Sequence, residues 1–200
     1  AKRGRLFMRA YCQQAVCNPS RASMLTGLRP DTLRIWDLPT HLREQKPQVI
    51  TLPQHFKDPG YFTQCIGKIF HNWRQEIQGD PQSWSVPQVM HYATHGSDKP
   101  RVKGELPPNL SKNPKCDMRE VPDEAYFDGR IANLAVKTLG DLEQKKKPFF
   151  LYLPQAMPGS TQAPFASKAF RGKSKNGPWG DSIEELDWST GEILKALKKH

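Results

Sequence analysis

Cys17 precedes Arg21 by one helical turn, and Cys17-Asn18-Pro19-Ser20 between them reads as a turn that opens a helix. Unpaired amide N–H groups and the helix dipole converge at such a start, which favours an anion and lowers a thiol pKa. The same residues also suit a buried structural cysteine beside a helix cap, and spacing alone leaves the two readings level. Other candidates are weaker. His91 and His95 stand four apart, as on a zinc-binding helix, but they lack the glutamate of the protease pattern and are flanked by Pro87 and Gly96. They read as exposed loop histidines. Asp123-Glu124 and Glu184-Glu185 fall at a helix start or on a helix face and read as solvated helix charge. Lys145-Lys146-Lys147 and Lys198-Lys199 read as solvated helix ends, placed favourably at the negative end of the dipole. Cysteines 12, 17, 65 and 116 form no C-x-x-C pair, which argues against a structural zinc site, and their even number permits disulfides without demanding them.

The elements that must position Cys17 can be read from periodicity. Leu6 to Val16 reads as a helix end running into a strand-like stretch. Arg21 to Leu28 is the expected helix, with Ser20 as its cap and Gly27 and Pro30 ending it. Thr51 to Lys57 is a second short helix capped by Thr51, with Pro53 in its first turn. Asp58-Pro59-Gly60 stops it, and Tyr61 to Ile66 reads as a strand. Residues 72–122 are rich in Pro, Gly, Asn and Asp and form a loop-rich excursion. Ile131, Leu134, Ala135, Thr138, Leu139 and Leu142 recur at helical spacing, so 124–144 is an amphipathic helix. Pro148 to Pro154 is a continuous apolar run of strand length, expected as a buried strand of a parallel sheet. Ile183, Leu186, Thr190, Ile193, Leu194 and Leu197 mark a last amphipathic helix. Helices alternating with buried strands indicate an α/β layered fold.

Composition bounds the function classes. The chain has 200 residues, enough for one domain with a real core, and no apolar run long enough for a membrane helix. Lys and Arg number 30 against 20 Asp and Glu, a net charge of +10 that suits a polyanionic partner. The basic residues are scattered and not interleaved with aromatics, which argues against nucleic acid. The opening Ala1-Lys2-Arg3-Gly4-Arg5-Leu6 lacks the apolar core of a signal peptide, and the expectation is an excerpt of a longer chain.

Cys17-x-Pro19-Ser20-Arg21 followed by Thr26-Gly27 resembles the signature of the formylglycine-dependent sulfatases, a long and specific pattern. Gln13-Gln14-Ala15-Val16, Arg29-Pro30-Asp31-Thr32, Leu52 to Lys57, Gly60-Tyr61 and Gly67-Lys68-Ile69-Phe70-His71 resemble the iduronate-2-sulfatase-like branch, which can be followed over residues 1–153. The last fifty residues resemble the wider arylsulfatase group better, through Phe170 to Ser174 and Gly180-Asp181 to Trp188.

That resemblance implies an alkaline-phosphatase-like layered sheet with helices on both faces, with residues 1–200 forming part of an N-terminal catalytic domain. It implies that Cys17 is oxidised to formylglycine by a formylglycine-generating or sulfatase-maturing enzyme, and that the hydrated aldehyde, activated by a metal ion, attacks the sulfur of a sulfated small molecule or glycan. Arg21 would support the hydrated aldehyde. Lys68 and His71 would hold sulfate oxygens, and Ser20 belongs to the modification signature. The implied metal is Ca²⁺, bound in the family by an early Asp-Asp pair and a late Asp-His or Asp-Asn pair. Neither pair occurs in this sequence, so Cys17, as formylglycine, is the one metal ligand expected here. The family also places a histidine after the buried strand, often as Met-Pro-His, whereas Met157-Pro158 is followed by Gly159. Family membership implies export to a periplasmic, extracellular or lysosomal setting. The alternative is an inactive remnant or a basic protein that binds sulfated glycans.

Overall fold

The computed structural model describes residues 4–71, 79–87, 127–155 and 166–199. Helix α1 (Cys17–Thr26) begins one turn before the expected start, so Cys17-Asn18-Pro19-Ser20 is its first turn. Extended Val16 takes the cap position, its side chain makes no cap bond, and Ser20 is not the cap. Proline at the third helical position forfeits nothing, because the first amides of a helix have no intrahelical acceptor. The end was read correctly. Gly27 is left-handed at φ 71° and its N–H bonds Ser23 O. The Thr26 hydroxyl donates to Ala22 O at 2.7 Å and accepts from Leu28 N at 3.2 Å.

Short helices α2 (Pro30–Leu33) and α3 (Leu42–Gln45) lead to α4 (Leu52–Lys57), whose cap is Thr51 as expected, accepting from Gln54 N at 3.3 Å. Strand β1 (Phe62–Cys65) pairs in parallel with β2 (Phe149–Tyr152), with Phe62 opposite Phe149 and Cys65 opposite Tyr152. The parallel pairing matches the expectation, but all four β2 residues are half-buried rather than buried. The described sheet has two strands, and Ser85 covers the outer edge of β1, donating from its N–H to Thr63 O at 2.8 Å and accepting the Thr63 N–H at its hydroxyl at 3.0 Å.

Alternation along the strands sends successive side chains to opposite sides. Cys65, Phe150 and Tyr152 pack with Ala22, Leu25 and Phe70 in one core, and Ile66 and Leu153 join Ile131 and Ala135 in another. Helix α5 (Phe127–Lys145) supplies the second core and α6 (Gly177–Lys199) packs on α5. Ile131, Ala135, Leu139 and Leu142 are buried as their spacing predicts. Of the α6 residues, Ile193 meets that core, while Ile183, Leu194 and Leu197 are exposed. Lys145 and Lys198-Lys199 close these helices as expected.

Two expectations fail. Residues 6–16 form no helix or strand, and Leu6, Phe7, Met8 and Tyr11 are exposed, because no described strand lies beside them to complete a ladder. Within the expected excursion, 79–87 is tightly anchored instead of loose. It holds a 3₁₀ turn (Pro81–Ser83), and buried Asp80 receives Arg43 Nε at 2.7 Å and Arg43 Nη2 at 2.9 Å. Residues 72–78 and 88–122 lie outside the described residues, as do His91, His95, Cys116, Asp123-Glu124 and Gly159.

Candidate active site

The site forms where the start of α1 meets the carboxyl ends of β1 and β2, the usual binding edge of an open parallel sheet. Fully buried Asn18 fixes the helix start by donating from Nδ2 to Asp37 O at 3.1 Å and Thr40 O at 2.6 Å. Its neighbour Cys17 is left exposed with a free thiol. Arg21, one turn on, donates from Nη1 to Lys68 O at 2.8 Å. A contact spanning 47 positions in sequence thus locks the helix to the segment after β1.

Lys68 carries the cluster onward. Its ammonium lies near enough to Cys17 for that side chain to favour the charged form. Its Nζ lies 3.0 Å from Nδ1 of His71. Burial holds Lys68 below the ordinary lysine range; Cys17 opposes that shift and the Arg21 guanidinium adds to it. Of the four catalytic candidates of the sequence, Arg21, Lys68 and His71 are therefore joined by direct contacts, with Cys17 beside Lys68.

Gly67 explains how the segment reaches this position. Its φ is 122°, and a Cβ there would stand 2.5 Å from Pro154 O, so only glycine lets the chain pass the residues after β2. Buried Cys65 donates from Sγ to Gly67 O at 3.4 Å, and burial pushes its thiol well above the usual range. Sequence reasoning missed Tyr152. It ends β2 opposite Cys65, and its ring stacks on Trp84. Burial raises its pKa, with Arg21 pulling the other way. The signal was a lone phenol in the run Pro148-Phe149-Phe150-Leu151-Tyr152-Leu153-Pro154, which an apolar count conceals.

The signature residues divide by role. Buried Pro19 and the Thr26-Gly27 pair shape the two ends of α1, and Ser20 is half-buried in its first turn. An open cleft of about 530 Å³ runs along the Ser20, Ser23 and Met24 side of α1 and does not include Cys17.

Calcium does not fit the described residues. Among them no three His, Cys, Asp or Glu side chains stand close enough to hold a metal ion. The partners of Cys17 are cationic or hydrogen-bond donors, whereas calcium takes six to eight oxygens.

The C-terminal motif is built differently. The Asp181 carboxylate accepts from the backbone N–H groups of Gly172, Lys173 and Ser174 at 2.7–3.0 Å, and these bonds hold it below the usual carboxylate range. Glu185 accepts from Ser167 N at 2.9 Å, so it holds the loop rather than serving only as solvated helix charge.

The comparisons agree with this picture. The sulfatase family model matches residues 1–200. Iduronate 2-sulfatase of Mus musculus is 37% identical over 150 residues, covering 73% of this chain and 27% of that protein. N-acetylgalactosamine-6-sulfatase of Canis lupus familiaris is 28% identical over 222 residues, covering 99% of this chain and 41% of that protein. The chain therefore spans less than half the length of either relative. The crystal structure of Ps i-CgsB matches in fold, with a TM-score of 0.67 at 20% identity, covering 94% of this chain and 46% of that one. Among the described residues no helix is long and apolar enough to cross a membrane.

Proposed function

Because the chain belongs to the sulfatase family, we propose that residues 1–200 form part of the catalytic domain of a sulfuric ester hydrolase whose nucleophile is formylglycine made from Cys17. The fold we assign is an alkaline-phosphatase-like layered sheet with helices on both faces. The two cores, which take alternate strand residues, support it.

A maturing enzyme oxidises the Cys17 thiol to an aldehyde, and water adds to give a geminal diol. One hydroxyl attacks sulfur and the alcohol departs. The second hydroxyl then loses its proton, the aldehyde re-forms and sulfate is released. A serine has no second oxygen for that last step. Lys68 and Arg21 offer positive charge where negative charge develops on the sulfuryl oxygens. His71, held through Nδ1 against Lys68, orients the diol and a sulfate oxygen. Sulfated carbohydrates are the proposed substrates, in line with the names of the relatives, and aryl sulfates serve as probes. The family reading also implies an exported enzyme.

The observation that carries this reading is the cluster in which Arg21 and His71 both contact Lys68, with exposed Cys17 beside that lysine. It is tested by peptide mass spectrometry of the full-length protein co-expressed with a maturing enzyme, together with turnover of an aryl sulfate. Formylglycine at position 17 and hydrolysis that falls to background in Cys17→Ala are the expected results. Turnover by Cys17→Ala near the wild-type rate would sink the mechanism.

A further inference from the structure

The chain at Trp36-Asp37 is tied to both flanks of Cys17. Gln14, three residues before the cysteine, donates from Nε2 to Trp36 O at 3.2 Å. Asn18, the residue after it, donates from Nδ2 to Asp37 O at 3.1 Å. These two bonds fix residues 36 and 37 beside the segment that carries the nucleophile. The Trp36 ring is fixed as well, because its indole N–H donates to Asp31 Oδ1 at 3.0 Å. The ring is nevertheless 54% exposed. It forms one wall of an open cleft of about 350 Å³ whose other lining residues are Gln13, Gln14, Arg29, Pro30 and Asp31.

The lining selects its occupant. A protein partner needs a run of apolar neighbours, whereas Trp36 is the one large apolar side chain among the described residues that line this cleft. Around it stand two amides, a carboxylate and a guanidinium. That set suits a molecule with an apolar face and a densely hydroxylated edge, which describes a sugar ring. The C–H face of the sugar stacks on the indole, and its hydroxyls meet the Gln13 amide and the Asp31 oxygen that Trp36 leaves open. Arg29 is exposed, and its guanidinium makes no hydrogen bond or ion pair among the described residues. Its charge is thus open to a carboxylate or a further sulfate on the sugar. We propose that this cleft binds a second residue of an acidic oligosaccharide, with Trp36 as stacking platform and Arg29 as partner of an anionic substituent. This rests on the sulfatase reading of Cys17 and adds to it the side of the nucleophile along which the glycan chain lies.

The test uses the full-length protein with Trp36→Leu, Trp36→Phe and Arg29→Gln. Sulfated tetrasaccharides prepared from heparin, chondroitin sulfate and carrageenan are titrated by calorimetry into the Cys17→Ala form, which cannot turn them over. The matured form of each variant is assayed in parallel on an aryl sulfate, which carries no second sugar. Trp36→Leu is expected to weaken the best-bound tetrasaccharide about tenfold, the scale of truncating an aromatic anchor. Trp36→Phe should recover most of that affinity, because a ring remains to stack. Arg29→Gln should weaken binding about tenfold at low salt and flatten the dependence of Kd on salt, because the screened charge is gone. In each variant the loss of tetrasaccharide affinity should exceed the accompanying loss of aryl sulfate kcat/KM. Equal losses in the two assays assign Trp36 and Arg29 a merely structural role and overturn the proposal. So does a wild-type sequence that binds none of the three tetrasaccharides, or a Trp36→Leu protein that binds them as wild type does. A wild type that acquires formylglycine yet hydrolyses no sulfate ester overturns the underlying reading instead, and the titrations still decide the cleft.

Discussion

The start of α1 and the start of α6 each carry a long sequence pattern, yet they dispose of their polar groups in opposite ways. At α6, the Asp181 carboxylate is 3% exposed and spends its oxygens on three backbone N–H groups, and Glu185 takes a fourth. Nothing charged in that pair is left for a ligand. At α1, Arg21 donates to the Lys68 carbonyl, the Lys68 ammonium lies against the His71 imidazole, and the cysteine beside them is exposed. One pattern closes a loop and the other gathers cationic groups beside an exposed cysteine. A motif match alone does not separate these cases. The hydrogen-bond partners do.

The largest expected effect breaks the comparison at its sharpest point. Lys68→Ala should lower kcat/KM for an aryl sulfate by about 10²–10³, the usual loss when one preorganised donor to developing charge is removed. A loss under about fivefold would place Lys68 with the structural groups. The pH profile refines the same point. Burial holds Lys68 below the ordinary lysine range, so its charged form, and with it the activity, disappears as pH rises through that lowered value. The alkaline limb of kcat/KM should therefore lie below about 10.4. It should move upward in Lys68→Arg, because a guanidinium stays charged.

How much was legible in the sequence follows from the same contrast. The catalytic cluster was found through pattern resemblance, because Cys17 and Lys68 are far apart in the chain and no periodicity joins them. Helix spacing marked the buried face of α5, and Thr51 announced the start of α4 through its side-chain bond. The start of α1 was misread because Pro19 and Ser20 look like turn and cap, whereas the real cap residue, Val16, bonds nothing through its side chain. Residues 6–16 were misread because strand character depends on a neighbouring strand, which sequence alternation does not supply. Tyr152 was invisible because only the parallel register of β1 and β2 places it opposite Cys65.

A pair of glycines sharpens the comparison next. A Cβ on Gly67 would meet Pro154 O at 2.5 Å, and Gly67 has a φ of 122°. A Cβ on Gly180 would meet Ser174 Oγ at 2.0 Å and Asn176 Cβ at 2.8 Å. Both Gly67→Ala and Gly180→Ala should lower stability, Gly67→Ala by about 1–3 kcal/mol from backbone strain alone. Only Gly67→Ala should also lower kcat/KM, because Lys68 is the next residue along the chain. Chemical denaturation with parallel kinetics separates the two effects. Equal loss of turnover in both variants would mean that the loop before α6 also belongs to the active site.

The smallest effect concerns Asp181. Its three N–H donors favour the charged form, so its folded pKa lies below the unfolded value of about 3.9. A depressed acid contributes stability above the unfolded pKa and loses it as pH falls through the folded one. Asp181→Asn removes that contribution. It also turns an amide NH₂ toward one of the donors, either Gly172 N or the pair Lys173 N and Ser174 N. The melting temperature of the variant should therefore lie below wild type at neutral pH, and the gap should begin to narrow as pH falls below about 4 and close as pH passes through the lower folded pKa, where the wild-type carboxylate takes up its proton. Turnover at neutral pH, measured well below the melting temperature, should stay within about threefold of wild type, since a change that touches no ligand acts through stability alone. A melting gap that persists unchanged at low pH would assign the loss to packing rather than charge. A large loss of turnover would move Asp181 from the loop-closing pattern to the anion-binding one.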